Sequence, residues 1–287
     1  MKILIAGASG QLAQEFQRVL PVLGHDVQAP SEESLDISNS AVVKDVLEAH
    51  RADVVLNCAA YNNVDKAEKD DYDTAYRVNA LGPKTLALAC RKSGALLVHY
   101  STDYVFDGRK EDFYTEDDMP SPINCYGETK RAGELFVINE AKQYLLFRLS
   151  WVFGDGKQNF LYKLAEWARE NQVLKIVSDQ VSVPTYTEDI VRVTMLAIEK
   201  QLIGLYNLTN GGYASRYEVA RYFLKKIGAN NIVLPVTTDH FPTPAKRPYF
   251  SAMSNAKITS ELKYEIPDWE NAVDRYLKKN ACKIRGG

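Results

Sequence analysis

Tyr126 and Lys130 stand four residues apart in CYGETKRAGE, a segment with helical spacing just after Pro122 and Asn124. On a helix the two side chains share one face. A free phenol ionises near ~10 and exchanges protons poorly at neutral pH, but a neighbouring ammonium favours the phenolate and lowers that value. The pair predicts a tyrosine acid or base tuned by a lysine. Tyr-x-x-x-Lys alone is a common spacing. It gains meaning from Thr102 in STDYVFDG, at the C-terminal tip of a predicted strand. Open parallel sheets place their ligands there, and the threonine hydroxyl can hydrogen-bond the same substrate oxygen.

GASGQLA, residues 7–13, follows a strand-like run and opens a helical one. Gly7 permits a tight turn, Gly10 lets backbone approach a pyrophosphate, and Ala13 lets helix pack on strand, while the helix N-terminus offers unpaired N–H groups to anionic oxygens. The spacing is G-x-x-G-x-x-A rather than G-x-G-x-x-G. After the second strand the chain reads Gln28, Ala29, Pro30, Ser31, with no carboxylate at the tip and no arginine, although Glu32 and Glu33 follow. An acid there would repel a 2′-phosphate, so NADPH is permitted beside NADH. Asp36 and Ile37 suit an adenine edge and ring, or form an ordinary loop.

These residues need a parallel sheet to converge. Residues 2–6, 26–29, 53–60, 95–101 and 144–150 are strand-like, with amphipathic helical patterns between them. In the first helix Leu12, Phe16, Val19, Leu20 and Leu23 recur at spacings of three and four, and Pro21 and Gly24 mark its end. The expected fold class is α/β: a Rossmann-like, doubly wound parallel sheet with a smaller C-terminal α/β substrate-binding domain. Beyond residue 152 prolines interrupt shorter elements. Helical patterns at 159–171, 188–199, 215–227 and 269–279 remain, with strands expected at 175–179 and 204–209. The expected division is a dinucleotide-binding domain over 1–152, rejoined by part of 180–210, and a nucleotide-sugar domain mainly over 153–287.

The 287 residues hold 35 Lys and Arg against 37 Asp and Glu, for a net charge of −2, with 46% hydrophobic and 25% charged residues. That is ordinary globular usage, which argues against disordered, collagen-like or disulfide-scaffold chains. No Lys/Arg run exceeds two, so neither nucleic acid nor an anionic membrane is an expected partner. No apolar stretch approaches 18 residues and glycine interrupts MKILIAGASG, which predicts a cytoplasmic enzyme. Cys58, Cys90, Cys125 and Cys282 show no C-x-x-C spacing and read as incidental thiols.

GASGQLAQE, LNCAAYNNVDKAE, HYSTDYVFDG, NCYGETKRAGE, RLSWVFG, DQVSVPT and PTPAKRP span residues 7 to 248. On these the chain resembles the extended short-chain dehydrogenase/reductases, in the branch that reduces dTDP-4-dehydro-L-rhamnose. The resemblance implies hydride transfer from NADPH or NADH to the 4-keto carbon of a dTDP-sugar, by a monomer or homodimer. It implies that Tyr126 donates the proton, Lys130 holds the nicotinamide ribose and tunes Tyr126, and Thr102 orients the carbonyl. It puts Gly7, Gly10, Gln11 and Leu12 at the pyrophosphate and Asp36 and Ile37 at the adenine. Ala59, Ala60, Tyr61, Asn62, Asn79 and Tyr100 would line the cofactor channel. Thr102, Asp103, Val64 and Trp151 would face the sugar, Trp151 with a flat apolar ring.

Arg247 matches phosphate oxygens bidentately and is the diphosphate candidate, the alternative being a solvated surface arginine. Some members of the family use Mg²⁺, and Glu15 and Glu188 fall at matching positions, without a third ligand in view. Asn62 stands where the family has threonine. A dehydratase of the same branch needs an Asp-Glu pair after the threonine, but Asp103 is followed by Tyr104. An epimerase of that branch shares this first rival reading, and the second rival comes from another class. A regulatory binding subunit, such as the β subunit of methionine adenosyltransferase, has no chemical need for Thr102, Tyr126 and Lys130 together.

Overall fold

The computed structural model describes residues 1–156 and 158–281; Cys282 lies outside them. In chain order the first part is β1 (Lys2–Ala6), α1 (Gln11–Val19), β2 (Asp26–Gln28), α2 (Ser40–His50), β3 (Val54–Asn57), α3 (Val64–Lys69) and α4 (Tyr72–Tyr76). A π-helical segment, Arg77–Leu81, runs into α5 (Gly82–Ser93), followed by β4 (Leu96–Thr102), α6 (Cys125–Glu140) and β5 (Tyr144–Leu149). The second part holds β6 (Val152–Phe153), α7 (Phe160–Glu170), β7 (Val173–Val177), β8 (Val181–Ser182), β9 (Thr185–Tyr186), α8 (Thr187–Glu199) and β10 (Gly204–Asn207). It ends with β11 (Ala214–Ser215), α9 (Arg216–Ile227), β12 (Ile232–Val236), α10 (Ala256–Leu262) and α11 (Trp269–Lys279).

Six of these strands form one parallel sheet in the order β10-β5-β4-β3-β1-β2. Successive side chains leave a strand on opposite faces, and both faces are covered. Ile3 and Ile5 pack with Phe16 of α1 and with Ile190 and Val193 of α8. Leu4 and Ala6 face the other way, toward Val43 and Leu47 of α2, Leu86 of α5 and Val137 of α6. The sheet therefore has the expected doubly wound form. β10 extends it after a long excursion, and Ile258 and Leu262 of α10 join the same face as α1 and α8. A separate cluster joins Phe153, Leu164, Phe223, Trp269 and Tyr276, drawn from β6, α7, α9 and α11. Near it β7 and β12 pair in parallel over five residues. No described helix is long and apolar enough to cross a membrane.

The strand expected over residues 53–60 ends at Asn57. Beyond it the chain must leave the sheet, because the backbone of Ala59 abuts Gly7. The first helix closes at Val19 and not on Leu23, which is 56% exposed, since Pro21 follows within two residues and has no N–H to continue the ladder. β7 begins two residues before its expected start. Cys58, Cys90 and Cys125 are free thiols.

Helix α6 is seated unusually closely. A Cβ at Gly133 would collide with the carbonyl oxygen of Asn79, and one at Gly127 with that of Tyr104. Glu134, one residue on, is fully buried and accepts both Nε and Nη2 of the buried Arg148 at 2.9 Å. Arg131 caps the same carboxylate at 2.7 Å. Breaking such a pair from one side costs about 3–5 kcal/mol, so it pins α6 to β5. Ala is favoured over Gly by up to ~1 kcal/mol in an open helix. Gly133→Ala is nevertheless expected to destabilise the protein by about 1–3 kcal/mol through overpacking, read as a lower urea midpoint; an unchanged or higher midpoint would contradict the close seating.

Candidate active site

β1 leads directly into Gly7, whose φ of +77° and lack of a Cβ let the turn touch the loop after β3; a Cβ there would lie 2.6 Å from Ala59 Cα. This contact sits between β1 and β3, where the strand order of the sheet reverses. The Gly10 N–H donates to Gly7 O at 3.0 Å, and Gly10 caps α1 with no side chain and no acid in the first turn. The leading N–H groups of α1 are thus open to an anion. The Gln11 side chain turns away to Asp155 O at 3.0 Å, so only its backbone faces the turn. Leu12 packs on the core.

At the adenine end, Asp36 accepts from the Ser38 N–H (2.9 Å) and hydroxyl (2.7 Å), which hold its carboxyl below the usual range. Arg77 reaches Asp36 at 3.3 Å and Ser38 at 2.8 Å. Nothing in the run after β2 announced this arginine, because it arrives from the π-helical segment. Ile37 departs from expectation: its side chain is buried, with Cδ1 lying 2.5 Å from where a Cβ at Gly82 would be. Its apolar face belongs to the core and is not offered to a ring.

The loop after β3 carries Ala59, Ala60, Tyr61 and Asn62. Asn79 holds it, accepting the Tyr61 N–H at 2.8 Å and donating to Tyr61 O and to Thr129 Oγ1 of α6 at 3.0 and 3.1 Å. The Asn79 amide is therefore engaged in bracing the channel wall, not exposed to line it. The Tyr61 hydroxyl is spent on Asp71 at 2.7 Å. Tyr100 also differs: its ring is buried between Phe16 and Phe147, its hydroxyl meets Thr194 at 3.1 Å, and only its carbonyl faces α6. That carbonyl accepts the Lys130 ammonium at 2.6 Å.

Lys130 is buried, and burial lowers its pKa to about 8. Tyr126, one turn earlier, is half-buried, with Tyr104 edge-on at 5.9 Å and its hydroxyl 3.4 Å from Asn62 Oδ1. Burial raises its pKa and outweighs the hydrogen bond to Thr102. The expected tuning of the phenol by Lys130 is absent here, because the ammonium is committed to Tyr100 O and desolvation governs the tyrosine. The phenol stays protonated at neutral pH.

Thr102 ends β4 and caps the next turn, accepting from the Tyr104 N–H at 3.1 Å. Asp103 behind it is buried, and burial raises its pKa to about 6. Against that burial, the hydroxyls of Ser251, Ser150 and Thr102 donate to its carboxylate at 2.5, 3.1 and 3.2 Å. Trp151 has φ of +38°, a conformation that non-glycine residues hold only when their surroundings impose it. A cavity of about 170 Å³ is lined by Asn62, Val64, Thr102, Asp103, Tyr104, Tyr126, Trp151, Ser182 and Arg216. The proton donor candidate, the threonine and the indole thus meet in one place.

Comparison with known proteins points the same way. The family described as the RmlD substrate binding domain matches residues 1–282. The chain belongs to this family. Among curated relatives it is 37% identical to the dTDP-4-dehydrorhamnose reductase of Burkholderia thailandensis, covering 95% of this chain and 97% of that one. It is 35% identical to the spore coat polysaccharide biosynthesis protein SpsK of Bacillus subtilis, covering 98% and 99%. The crystal structure of dTDP-4-dehydrorhamnose reductase from Bacillus anthracis in complex with NADP superposes with a TM-score of 0.93 at 34% identity, covering 97% and 99%.

In this RmlD-family chain Arg247, Glu15 and Glu188 also have other partners than the sequence reading expected. Arg247 does not line the cavity; Asp65 takes its guanidinium bidentately at 2.9 and 2.7 Å, and Thr243 and Ala245 O accept from it as well. Glu15 and Glu188 do not make a Mg²⁺ site within the described residues. Lys279 Nζ lies 2.8 Å from Glu188, 3.1 Å from Asp155 and 3.6 Å from Glu15, Arg18 pairs with Glu15, and Arg275 stands 3.9 Å from Glu188. Side-chain cations thus pair with both carboxylates, and no metal-holding cluster of His, Cys, Asp or Glu occurs among the described residues. Tyr104, Ser182 and Arg216 are the cavity residues that the sequence reading missed, and Arg216 is the one that carries a charge.

Removal of divalent cations with EDTA is accordingly expected to leave catalysis and thermal stability unchanged; a loss restored by Mg²⁺ would contradict the ion-pair assignment. Asp103 gives a pH signature. Its folded pKa of about 6 lies above its usual 3.8, so the native state holds a proton more tightly and Asp103 lowers stability as pH rises from about 4 to 6. Asp103→Asn should remove that component, narrowing the fall in stability over this window relative to wild type in denaturation measured at both ends. Identical pH profiles would refute the buried carboxylate.

Proposed function

We propose that the chain reduces the 4-keto group of dTDP-4-dehydro-L-rhamnose with NAD(P)H, giving dTDP-L-rhamnose. The observation that carries this is the shared cavity: Thr102, Tyr126 and Trp151 line it at the C-terminal end of β4, in a chain of the RmlD family. The name of the Burkholderia relative supports the substrate, and the NADP complex of the Bacillus anthracis relative supports the cofactor. Bound NAD(P)H supplies the hydride. The residues 1–152, with part of 180–210, form the dinucleotide-binding domain in this reading, and 153–287 mainly the nucleotide-sugar domain.

The protein's own groups then act as follows. The open N–H groups at Gln11 and Leu12 and the helix dipole hold the cofactor diphosphate. The unacidic tip Gln28–Ser31 accepts either nicotinamide cofactor. Thr102 turns its hydroxyl proton from Asp103 to the substrate carbonyl and aligns it with Tyr126. The Tyr126 phenol, neutral at working pH, passes its proton to the oxygen as negative charge grows there. Lys130, held against Tyr100 O, meets the nicotinamide ribose and fixes the cofactor beside Tyr126. Trp151 presents its ring to the apolar side of the deoxysugar.

The purified chain is expected to oxidise NADPH or NADH only when dTDP-4-dehydro-L-rhamnose is supplied, followed as loss of nicotinamide absorbance; no turnover with either cofactor would end this reading. Tyr126→Phe should keep NADPH affinity while kcat falls by about 10²–10⁴. Wild-type kcat/KM should fall as pH rises through about 8, where Lys130 loses its charge; a flat profile to pH 10 would remove the ammonium from the mechanism.

A further inference from the structure

The sugar cavity contains a cation that the proposed chemistry has not used. Arg216 is the first residue of α9, directly after its cap Ser215. Its guanidinium lies 4.8 Å from the ring centre of Trp151 and 5.5 Å from that of Phe160. It lines the cavity with Thr102 and Tyr126, and also the adjoining recess formed by Tyr104, Gln180, Val181, Ser182 and Pro248. The residue thus borders both the cavity and this small recess.

What surrounds Arg216 is as informative as where it lies. Among the described residues no carboxylate forms an ion pair with it. Glu218, the acid nearest in sequence, is turned back onto the Ser215 N–H and hydroxyl at 2.7 and 2.8 Å. Asp103 is satisfied by three hydroxyls. Its polar neighbours are the neutral Tyr104 phenol, Arg247, which repels it, and Asp103, which attracts it without forming an ion pair. The half-buried guanidinium therefore keeps donors that no carboxylate of the described residues has taken. Stacking on an indole preserves the in-plane N–H donors, which remain free for an anion. Arg247, by contrast, already has its carboxylate in Asp65.

We propose that Arg216 is a substrate-recognition residue that binds the diphosphate of a nucleoside-diphosphate sugar, with its planar face kept on Trp151. The ligand supplies the anion that the fold withholds. Diphosphate recognition and placement of the indole against the sugar are thereby coupled through one side chain. Arg216 acts in binding; it is not a proton donor.

The inference rests on the nucleotide-sugar reading, and its test separates the two. Dissociation constants for dTDP and thymidine are measured by calorimetry on wild type, Arg216→Gln and Arg216→Lys, with NADPH affinity confirming that each variant is folded. Arg216→Gln should weaken dTDP at least tenfold and thymidine less than twofold. Arg216→Lys, which keeps charge but loses the fork and the ring face, should weaken dTDP about three- to tenfold; it decides the matter if the glutamine variant does not fold. KM for the sugar nucleotide should rise in parallel, with kcat changed less. Equal shifts for dTDP and thymidine would reduce Arg216 to packing, and unchanged dTDP affinity would overturn the proposal. Wild-type chain that turns over no dTDP-sugar fails the nucleotide-sugar reading itself, whatever Arg216 does.

Discussion

Gly133 and Gly127 let helix α6 rest on two carbonyl oxygens, those of Asn79 and Tyr104, with no side chain between. The positions of Tyr126 and Lys130 follow from those backbone contacts. Asn79 belongs to a π-helical segment, an irregularity that recurs at functional sites. Its carbonyl seats the helix while its amide ties the helix to the loop after β3. The buried Arg148–Glu134 pair fixes the same helix to β5. Tyr126, Lys130 and the loop after β3 are thus set by one helix in one register, and a shift of α6 would move all three.

The sheet supplies the remaining half of the site through its carboxyl edge. β1 ends in the turn that meets the loop of β3, β4 ends in Thr102, and β5 ends beside Ser150 and Trp151. The second hydrophobic cluster, built from β6, α7, α9 and α11, brings Arg216 to the indole. Asp103 joins the two regions, because Ser150 comes from the end of β5 and Ser251 from the segment before α10. Substrate recognition in this account is therefore a property of the junction, and Trp151, held at positive φ, is its most constrained residue.

Much of this was legible in the sequence. Period-two and period-3.6 patterns placed the sheet and its covering helices, and the Gly7–Ala13 turn and the Tyr126–Lys130 spacing marked the two ends of the site. The failures share a cause. Tyr100, Asn79 and Ile37 carry side chains that suit a cofactor, yet their surroundings use them for packing or bracing, which spacing does not reveal. Phenol tuning by Lys130 failed because desolvation outweighs a charge that is already bound elsewhere. Arg247 looked free only because Asp65, 182 positions away, is invisible as its partner in sequence. Arg77 and Arg216 were missed for the converse reason: each reaches its site from an element that carries no motif.

The central claim is a single net hydride transfer to a sugar carbonyl, with cofactor consumed. Turnover of dTDP-4-dehydro-L-rhamnose with nicotinamide cofactor deuterated at the transferred C4 position, followed by NMR and mass spectrometry of the product, tests it most directly. The account predicts one deuterium at C4 of the dTDP-sugar and one equivalent of oxidised cofactor per product. Deuterium elsewhere in the ring, or product formed while the cofactor stays reduced, would contradict it.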